Sequence, residues 1–325
     1  MQNMAQSAVV LGASGYAGGE VVRLLAAHPA LELAAASGES SAGMPLDDLH
    51  PQLTGSFSLR LDTTAEAAAT PADVCFSCLP TGGLAPHLES VGAPVVIDLA
   101  GDHRHRAGWT YGLSELARSE IAGATRIANP GCYPTAALLC LVPFARAGVI
   151  GGPVVIDALS GLSGAGRKAL EHLSFGAASA NAGAYGTTEH RHIAEIERWL
   201  EYHSGLSLKV SFTPHLVPLT RGLLVTARAP LITPLSDEQA LEVLQDAYTN
   251  EPFVHALTGW PSTKPLTGSN HAHVSARVDR RAELLVCSAA LDNLGKGAAG
   301  QALQNANLAL DLAETVGLES LGVWP

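Results

Sequence analysis

The sequence predicts two α/β domains, the first built on a doubly wound parallel sheet and the second on a mixed α+β sheet. The chain has 325 residues, of which 47% are apolar, and this length suits two domains of roughly 100–200 residues each. Up to residue 130, short apolar runs alternate with helical stretches, an order that implies parallel strands joined by helices. Beyond that point the predicted strands are longer, and helices and polar loops separate them.

The first domain is expected to contain five strands and a helix that follows the first of them. This helix spans Gly18–Ala27, where four apolar residues form one stripe. The strands are predicted at Ala8–Gly12, Leu31–Ala36, Asp73–Leu79, Pro94–Leu99 and Arg126–Ala128.

The second domain is expected to begin with a long apolar helix, which follows Pro134 and runs to about Ala147. Its strands are predicted at Val154–Ser160, Leu208–Thr213, Leu223–Arg228, Val274–Val278 and Leu284–Ala290. The C-terminal residues Ala298–Val316 predict one further helix, whose apolar residues suit packing onto the body of the protein.

The excess of acidic residues excludes several classes of partner. The formal net charge is −11, so the surface repels nucleic acid and anionic lipid.

The longest apolar runs, such as Leu138–Val142, are far shorter than the roughly 20 residues that span a bilayer. The stretch from Met1 to Gln6 has neither the basic start nor the apolar core of a signal peptide. We therefore expect a cytoplasmic protein that binds neither nucleic acid nor membrane.

The five cysteines are few for the length and odd in number, which predicts reduced thiols rather than a disulfide framework. Cys140 lies mid-helix and Cys287 lies in a strand, so both are interpreted as core residues. Cys75 and Cys78 form a Cys-x-x-Cys, but they lie in an apolar strand without a second pair. We expect no metal site.

A glycine-rich turn follows the first predicted strand and opens the first helix. Gly12, Gly15 and Gly18 are spaced Gly-x-x-Gly-x-x-Gly. The first glycine permits a tight turn, the second lets backbone N–H groups approach a pyrophosphate, and the third allows close packing of helix on strand. Since the start of a helix favours an anion, this turn predicts dinucleotide binding.

The loop after the second strand bears on which dinucleotide is bound. It contains Ser37, Ser40 and Ser41, whose hydroxyls could bond a 2′-phosphate, and Glu39, which would repel one if its side chain points inward. A Glu39 side chain that faces water would have no such effect. The sequence leaves both readings open.

Cys132 is the candidate nucleophile. It lies between Asn129-Pro130-Gly131 and a predicted helix, and a cysteine in the first turn of a helix is activated by the positive end of the helix dipole. The turn can direct the sulfur toward the carboxyl edge of the sheet, where ligands of doubly wound sheets bind.

A thiolate that attacks a carbonyl requires an acid or base nearby. The densest polar cluster is Thr188–Ile196, which is interpreted as the beginning of a helix and contains His190 and His192. On a helix these two side chains would point about 200° apart, so at most one is expected to face the sulfur.

These residues together resemble the N-acetyl-γ-glutamyl-phosphate reductases, relatives of the aspartate-semialdehyde dehydrogenases. The matching motifs cover nearly the whole chain and occur in order: Gly12–Gly18, Asp98–Arg104, Tyr111–Leu113, Asn129–Thr135, Ser160–Arg167, His190–His192, Phe212–Pro218, Arg221–Gly222, Asp292–Ala302 and Gln304–Asn305.

The resemblance implies an NADP-dependent reductive dephosphorylation that yields N-acetyl-glutamate 5-semialdehyde. The nucleophile attacks the acyl phosphate, phosphate leaves, and the resulting thioester accepts a hydride. It implies a Rossmann-type first domain (residues 1–131 and 292–325), to which the C-terminal helix returns. Residues 132–291 would form the substrate, catalytic and oligomerisation domain of a homodimer or homotetramer.

The resemblance also assigns roles to individual residues. Cys132 is the nucleophile and His192 the acid/base, with His190 as the alternative. Three arginines, Arg104, Arg191 and Arg221, are candidates for binding the substrate's phosphate or carboxylate, and each is alternatively a structural ion pair. The cofactor contacts are assigned to Gly12, Ser14, Gly15, Tyr16, Gly18, Ser37, Ser40 and Asn293.

Some positions depart from the family pattern. Glu39 stands where a basic residue is common, which leaves NAD possible beside NADP, and Gly101 and His103 stand where the family tends to have Ala and Phe. Two other functions are considered: a reductase of carrier-bound aminoadipyl phosphate in lysine biosynthesis, and a dinucleotide sensor without catalysis. The absence of a Lys/Arg cluster disfavours an acidic carrier, and the retained cysteine and histidines disfavour a sensor.

Overall fold

The computed structural model describes residues 5–324, and its internal contacts divide them into two units. Unit 1 comprises residues 5–131 and 298–320, and unit 2 comprises residues 132–297 and 321–324. Met1–Met4, part of the stretch in which no targeting signal is expected, and Pro325 lie outside the described residues.

Unit 1 contains a six-stranded sheet in which every neighbouring pair is parallel. The strand order is β2-β1-β3-β4-β6-β5. The strands are β1 (Gln6–Leu11), β2 (Leu31–Ala36), β3 (Val74–Ser77), β4 (Val95–Asp98), β5 (Thr110–Tyr111) and β6 (Arg126–Ala128). Because the chain moves to one side of β1 with β2 and to the other with β3, the strand order reverses at the end of β1. The predicted doubly wound parallel sheet is confirmed.

The helices of unit 1 cover this sheet. They are α1 (Tyr16–Ala26), α2 (Leu46–Leu49), α3 (Thr64–Ala69), α4 (Ser114–Ile121) and, from the C-terminal part of the chain, α9 (Gly300–Ala309). Helix α9 packs against α1, α4 and β4, so the C-terminal helix returns to the first unit as expected.

The predicted extent of the C-terminal helix was wrong. Instead of one helix over Ala298–Val316, a π-helical turn over Gly295–Ala299 leads into α9, which ends at Ala309. Asp311 has φ +57, in the left-handed region that a helix interior does not contain. The buried Asn307 side chain then donates hydrogen bonds to the carbonyls of Glu314 and Val316, which holds the following residues as a loop.

Unit 2 contains a seven-stranded mixed sheet with the order β11-β12-β13-β10-β7-β9-β8. The strands are β7 (Val154–Ser160), β8 (Gly183–Ala184), β9 (Val210–Leu216), β10 (Leu223–Pro230), β11 (Val254–Ala256), β12 (Ala272–Asp279) and β13 (Leu284–Leu291). The pairs β7–β9 and β11–β12 are parallel and the others are antiparallel. All ten predicted strands are present with small changes at their ends, whereas the short strands β5, β8 and β11 were not predicted.

The helices of unit 2 are α5 (Cys132–Arg146), α6 (Phe175–Ala178), α7 (His192–Ser204) and α8 (Asp237–Tyr248). Every residue of α5 from Tyr133 to Ala145 is buried, as expected for a helix that is apolar on all sides. It packs against β10, β12, β13, α7 and α8. Helix α5 is therefore the centre of the core of unit 2, and its first residue is the candidate nucleophile.

In the described part of the chain, no helix has the length and hydropathy to cross a membrane.

Candidate active site

The glycine turn follows β1 at the point where the strand order of unit 1 reverses. Gly12 has φ +78, and a Cβ atom on it would lie 2.8 Å from the carbonyl oxygen of Cys78. A Cβ atom on Gly18 would collide with the Gly12 carbonyl oxygen and lie 2.7 Å from the Cα of Ala13. Both positions thus require glycine. Gly15 precedes α1 and provides no side-chain cap for its first turn, which suits an anion held by backbone N–H groups.

Helix α1 begins at Tyr16, whose side chain is exposed. Ser14 belongs to the same turn. The Cβ of Ser14 lies 3.1 Å from the place that a Cβ on Gly38 would occupy. The turn that follows β1 and the loop that follows β2 are therefore in direct contact, as a shared binding edge requires.

Two polar side chains of the loop after β2, Ser37 and Glu39, accept hydrogen bonds from different segments of unit 1. Ser37 is buried, and its hydroxyl accepts a hydrogen bond from the Gly12 N–H at 3.0 Å, so it supports the glycine turn. Glu39 is exposed, and its carboxylate accepts a hydrogen bond from the Thr64 N–H at 2.9 Å, at the start of α3. The hydrogen bonds from Thr64 lower the pKa of Glu39. Ser40 is exposed beside it.

Cys132 is the first residue of α5 and is partly exposed, whereas Tyr133 beside it is buried. A Cβ atom on Gly297 would lie 2.9 Å from the Cβ of Cys132 and 3.1 Å from Cδ1 of Leu291. The backbone of the π-helical turn therefore approaches the cysteine closely at a residue without a side chain. Gly297 lies within the motif Asp292–Ala302 but was not predicted to be a site residue.

His190 and His192 lie together, contrary to the expectation that they diverge. Helix α7 begins at His192, so His190 precedes it and the helical angle between them does not apply. Their ring centroids are 4.6 Å apart, and each ring meets the edge or face of Tyr133 at 5.9 Å. The His192 N–H donates to Nδ1 of His190 at 3.2 Å. Both imidazoles are thus gathered around the neighbour of Cys132.

Tyr185 also belongs to this cluster, although it was not predicted to be a site residue. Its hydroxyl lies 3.1 Å from the Tyr133 hydroxyl, and its ring lies 5.8 Å from that of His190. Burial is the main reason that the pKa of each tyrosine is raised, and the nearby Cys132 adds to the effect in both. Burial lowers the pKa of His190, and the charge of Arg191 lowers it further. The cluster therefore favours neutral tyrosines and a neutral His190.

The three predicted substrate arginines have different surroundings. Arg221 forms an ion pair with the buried carboxylate of Asp292, with Nε 2.9 Å from Oδ2. Arg104 is buried, and its Nε and Nη2 donate to the carbonyl oxygens of Asn129 and Leu99 at 2.8 and 2.9 Å. Arg191 is exposed immediately before α7. Arg104 and Arg221 thus stabilise the protein structure through these bonds, whereas Arg191 is exposed beside the histidines.

Asn293, a predicted cofactor contact, also forms hydrogen bonds that stabilise the protein structure. Its Oδ1 accepts the Gly222 N–H at 2.7 Å, and its Nδ2 donates to the hydroxyl of Ser163 at 2.9 Å. These bonds connect the segment after β13 to the loops after β7 and before β10.

The remaining cysteines lie in apolar surroundings. Burial raises the pKa of Cys75 to about 12 and is also the main reason that the pKa values of Cys78 and Cys140 are raised. Cys140 lies next to Cys287 in the core. Among residues 5–324, no group of three or more His, Cys, Asp and Glu side chains could hold a metal ion.

Two family models match most of the chain. Residues 7–124 match the semialdehyde dehydrogenase NAD binding domain, and residues 132–293 match the semialdehyde dehydrogenase dimerisation domain. The fold is that of solved structures of low sequence identity. Aspartate semialdehyde dehydrogenase II of Vibrio cholerae complexed with ASA has a TM-score of 0.76 and 18% identity, with 95% of this chain and 99% of that chain covered. The enzyme of Candida albicans with NADP has a TM-score of 0.72 and 18% identity over 94% and 98% of the chains.

Curated relatives match the chain over almost its full length. The N-acetyl-γ-glutamyl-phosphate reductase of Salinispora tropica is 44% identical over 97% of this chain and 98% of the relative. The reductase of Moorella thermoacetica is 40% identical over 97% and 99%. The chain therefore belongs to the N-acetyl-γ-glutamyl-phosphate reductases, oxidoreductases of the semialdehyde dehydrogenase family.

Proposed function

We propose that the protein reduces N-acetyl-glutamyl 5-phosphate to N-acetyl-glutamate 5-semialdehyde with release of phosphate, a step of arginine biosynthesis. The observation that carries this proposal is the position of a partly exposed Cys132 at the first turn of α5, with His190 and His192 around its neighbour Tyr133. The names of the relatives specify the acyl group and favour it over a carrier-bound aminoadipyl group.

Cys132 acts as the nucleophile. Its sulfur bonds to the carbonyl carbon of the acyl phosphate, the bond from that carbon to the phosphate oxygen breaks, and phosphate leaves with the bonding electron pair. The helix start at which the sulfur lies favours its anionic form. When the aldehyde is formed, the carbon–sulfur bond breaks and the thiolate is restored.

His192 acts as the acid/base, and His190 holds it in place. The hydrogen bond from the His192 N–H leaves Nδ1 of His190 without a proton in its neutral form. His192 accepts the thiol proton and returns it when the product leaves. Arg191 is proposed to attract the anionic substrate because it is exposed beside both imidazoles.

A nicotinamide dinucleotide, when bound, supplies the hydride. The residues of unit 1 fit such a group, because the turn is closed to side chains at Gly12 and Gly18 and α1 has no side-chain cap. Gly15, Ser14 and Tyr16 would surround the pyrophosphate, and Ser40 the adenosine ribose. Ser37 would stabilise the glycine turn, because its hydroxyl accepts a hydrogen bond from the Gly12 N–H.

We favour NADP over NAD as the dinucleotide. The carboxylate of Glu39 is turned to the start of α3 by Thr64, which gives it a partner other than the ribose. NADP is also the dinucleotide of the related Candida albicans structure. The proposed location in the cell is the cytoplasm.

A second copy of the chain is proposed to cover the outer face of the sheet in unit 2. Along β7, Val154, Ile156 and Ala158 are buried, while Val155 and Leu159 are 40% and 37% exposed. An Asp157–Arg228 ion pair lies on the same outer face. Apolar residues around an ion pair suit a self-complementary contact, and the matching family model describes a dimerisation domain. A homodimer, or a homotetramer of two such dimers, would be distinguished by sedimentation analysis.

The proposed reaction is tested in reverse. Purified enzyme is mixed with inorganic phosphate, N-acetyl-glutamate 5-semialdehyde and either NADP or NAD, and the nicotinamide absorbance is followed. Phosphate-dependent reduction of NADP supports the proposal. Absence of turnover with both dinucleotides, from enzyme that binds them, would instead indicate a sensor. Turnover only with the aminoadipyl analogue would indicate the lysine pathway.

A further inference from the structure

The imidazole of His50 contacts the main chain of the glycine turn in unit 1. His50 lies between α2 and a 3₁₀ turn over Pro51–Leu53, and its side chain is 5% exposed. Its Nε2 lies 2.7 Å from the carbonyl oxygen of Ala13, which is also buried. A carbonyl oxygen only accepts hydrogen bonds, so Nε2 carries a proton and donates it. This hydrogen bond connects the loop after α2 to the turn after β1.

Both the main chain and the ring of His50 are held in place. Its N–H donates to the carbonyl oxygen of Leu46 at 3.1 Å, and its own carbonyl accepts the N–H of Leu53 at 2.8 Å. The ring lies against Gly19, because the three atoms nearest to a Cβ built on Gly19 are Cε1, Nδ1 and Nε2 of His50. Such a Cβ would lie 2.6 Å from Nδ1. The ring therefore occupies the space that a side chain at position 19 would need.

Hydrogen bonds fix three successive peptide groups of the glycine turn. The Gly12 N–H donates to Oγ of Ser37 at 3.0 Å, and the Ala13 N–H donates to the carbonyl oxygen of Ser37 at 2.7 Å. The third peptide group, between Ala13 and Ser14, accepts the hydrogen bond from His50 at its carbonyl oxygen. Ser37 therefore fixes the first two peptide groups, and His50 fixes the third.

The direction of the third peptide group decides which of its two polar atoms faces an anion. In a planar trans peptide the C=O and the N–H point in opposite directions. An Ala13 carbonyl directed at His50 thus turns the Ser14 N–H to the side away from His50. A backbone N–H attracts an anion, whereas a carbonyl oxygen repels one. A rotated peptide group would present its oxygen where the turn is proposed to bind the pyrophosphate.

We propose that His50 is a positioning residue for dinucleotide binding. Its hydrogen bond to Ala13 keeps the Ser14 N–H directed at the pyrophosphate, and Gly19 leaves the space that the imidazole needs. His50 acts through the main chain of the turn and does not itself contact the dinucleotide. This inference rests on the proposed function, which supplies a dinucleotide for the turn, and it concerns residues of unit 1 alone.

Substitution of His50 tests the hydrogen bond to Ala13. The dissociation constant of NADP is measured by equilibrium titration of each variant. His50→Leu removes the donor and is expected to weaken NADP binding roughly 5- to 30-fold, the effect of leaving a buried acceptor without its donor. His50→Gln keeps an N–H donor on a side chain of similar reach. It should bind NADP within about threefold of wild type, because the hydrogen bond is restored.

His28→Leu is the matched control. His28 is also a buried histidine of unit 1, just after the other end of α1, and its Nε2 lies 3.1 Å from Oδ1 of Asn307. The control should lower the melting temperature and leave the dissociation constant of NADP unchanged. Equal binding by wild type and His50→Leu, failure of His50→Gln to restore binding, or an equal loss of binding in His28→Leu would overturn the proposal.

Fragments of the dinucleotide identify the group whose binding depends on His50. ADP carries the pyrophosphate, whereas adenosine 2′-monophosphate lacks it. His50→Leu should weaken the binding of ADP by a factor similar to that for NADP, and it should leave the binding of adenosine 2′-monophosphate unchanged. An equal loss of affinity for both fragments would show that His50 has only a general structural role, which contradicts the proposal.

A double-mutant cycle with Gly19 tests the packing of the ring. Gly19→Ala places a methyl group against the imidazole and should weaken NADP binding about as much as His50→Leu does. In the His50→Ala background this space is vacant, so Gly19→Ala should change NADP affinity less than about twofold. Additive losses would show that the two residues act independently and would contradict the proposal. Melting curves verify that each variant is folded.

These binding measurements separate the inference from the proposed function. Weaker NADP binding by His50→Leu, restored in His50→Gln, supports the inference even if wild type shows no turnover. Equal NADP binding by wild type and His50→Leu contradicts the inference even if wild type is an active reductase. In active enzyme the loss should appear in the KM of the dinucleotide, with kcat changed less than about threefold.

Discussion

The two units of the molecule build their sites in different ways. In unit 1 the proposed cofactor site consists mainly of main chain: a turn closed to side chains at Gly12 and Gly18, and the uncapped start of α1. In unit 2 the proposed catalytic site consists of side chains from several segments, among them Cys132, Tyr185 and His192. A short sequence motif is enough to specify a site made of local backbone. A site made of side chains that are distant in the sequence is formed only when the whole sheet is assembled.

The largest expected effect concerns the side-chain site. His192→Ala should lower kcat about 10²- to 10⁴-fold, the usual contribution of an acid/base group, and should raise KM much less. His190→Ala should have a smaller effect, since it removes the partner of the His192 N–H and leaves the imidazole of His192. Steady-state kinetics of the two variants measure kcat and KM. A larger loss of kcat in His190→Ala than in His192→Ala would show that His190 is the acid/base and His192 the residue that holds it in place.

A glycine substitution in each unit compares the two kinds of site directly. Gly18→Ala places a methyl group against the Gly12 carbonyl and should raise the KM of the dinucleotide, while Gly297→Ala places one 2.9 Å from the Cβ of Cys132 and should lower kcat. Overpacking of this kind costs about 1–3 kcal/mol of unfolding free energy.

Gly176→Ala is the control for both substitutions, since a Cβ there meets nothing within 4 Å. Denaturant titration and kinetics measure these effects. If Gly297→Ala leaves kcat unchanged, the close approach of the turn to Cys132 has no catalytic consequence.

Acidification should destabilise unit 2 through two partly buried histidines, His203 and His271. Burial lowers the pKa of His203 and His271 to about 4, and for His271 the neighbouring His255, His273 and Lys296 lower it further. The unfolded chain binds protons at these residues from about pH 6.5. Between pH 6.5 and 4 the unfolded state therefore holds more protons, and stability falls as the pH is lowered.

His271→Gln should reduce this dependence, because it removes one of the titrating groups. Melting temperatures between pH 7 and pH 4.5 measure the effect, with the exposed His172→Gln as the control. A wild type and a His271→Gln variant with parallel curves would show that His271 does not contribute.

The smallest expected effect concerns the choice of dinucleotide. Glu39→Arg should raise the ratio of kcat/KM for NADP to that for NAD several-fold, because it replaces an anion near the proposed ribose site by a cation. Glu32→Arg, on the exposed side of β2, controls for the change in net charge. An unchanged ratio would show that the side chain at position 39 does not reach the dinucleotide.

The strands and the glycine turn could be predicted because their signals are local. Runs of apolar residues and the spacing of glycines after β1 require no knowledge of distant contacts. Helix α8 had an equally local signal that was overlooked: Ser236 and Gln239 form a capping box at its start.

The geometry of the histidines could not be predicted from spacing alone. The expectation that His190 and His192 diverge assumed one helix through both, but α7 begins at His192. Tyr185 and Gly297 join the site from segments far from Cys132 in the chain, through pairing of β8 with β9 and through the turn after β13. Such contacts are set by the assembled sheet: the motif Asp292–Ala302 contains Gly297, but it does not show which residue that glycine approaches.

The central claim is that Cys132 forms a thioester with the substrate, and mass spectrometry tests it most directly. Enzyme is mixed with N-acetyl-glutamyl phosphate in the absence of dinucleotide, quenched in acid and digested. We expect the peptide that contains Cys132 to gain one N-acetyl-glutamyl group, and the Cys132→Ala enzyme to gain none. An unmodified Cys132 in active enzyme, or an adduct on another residue that persists in Cys132→Ala, would contradict the account.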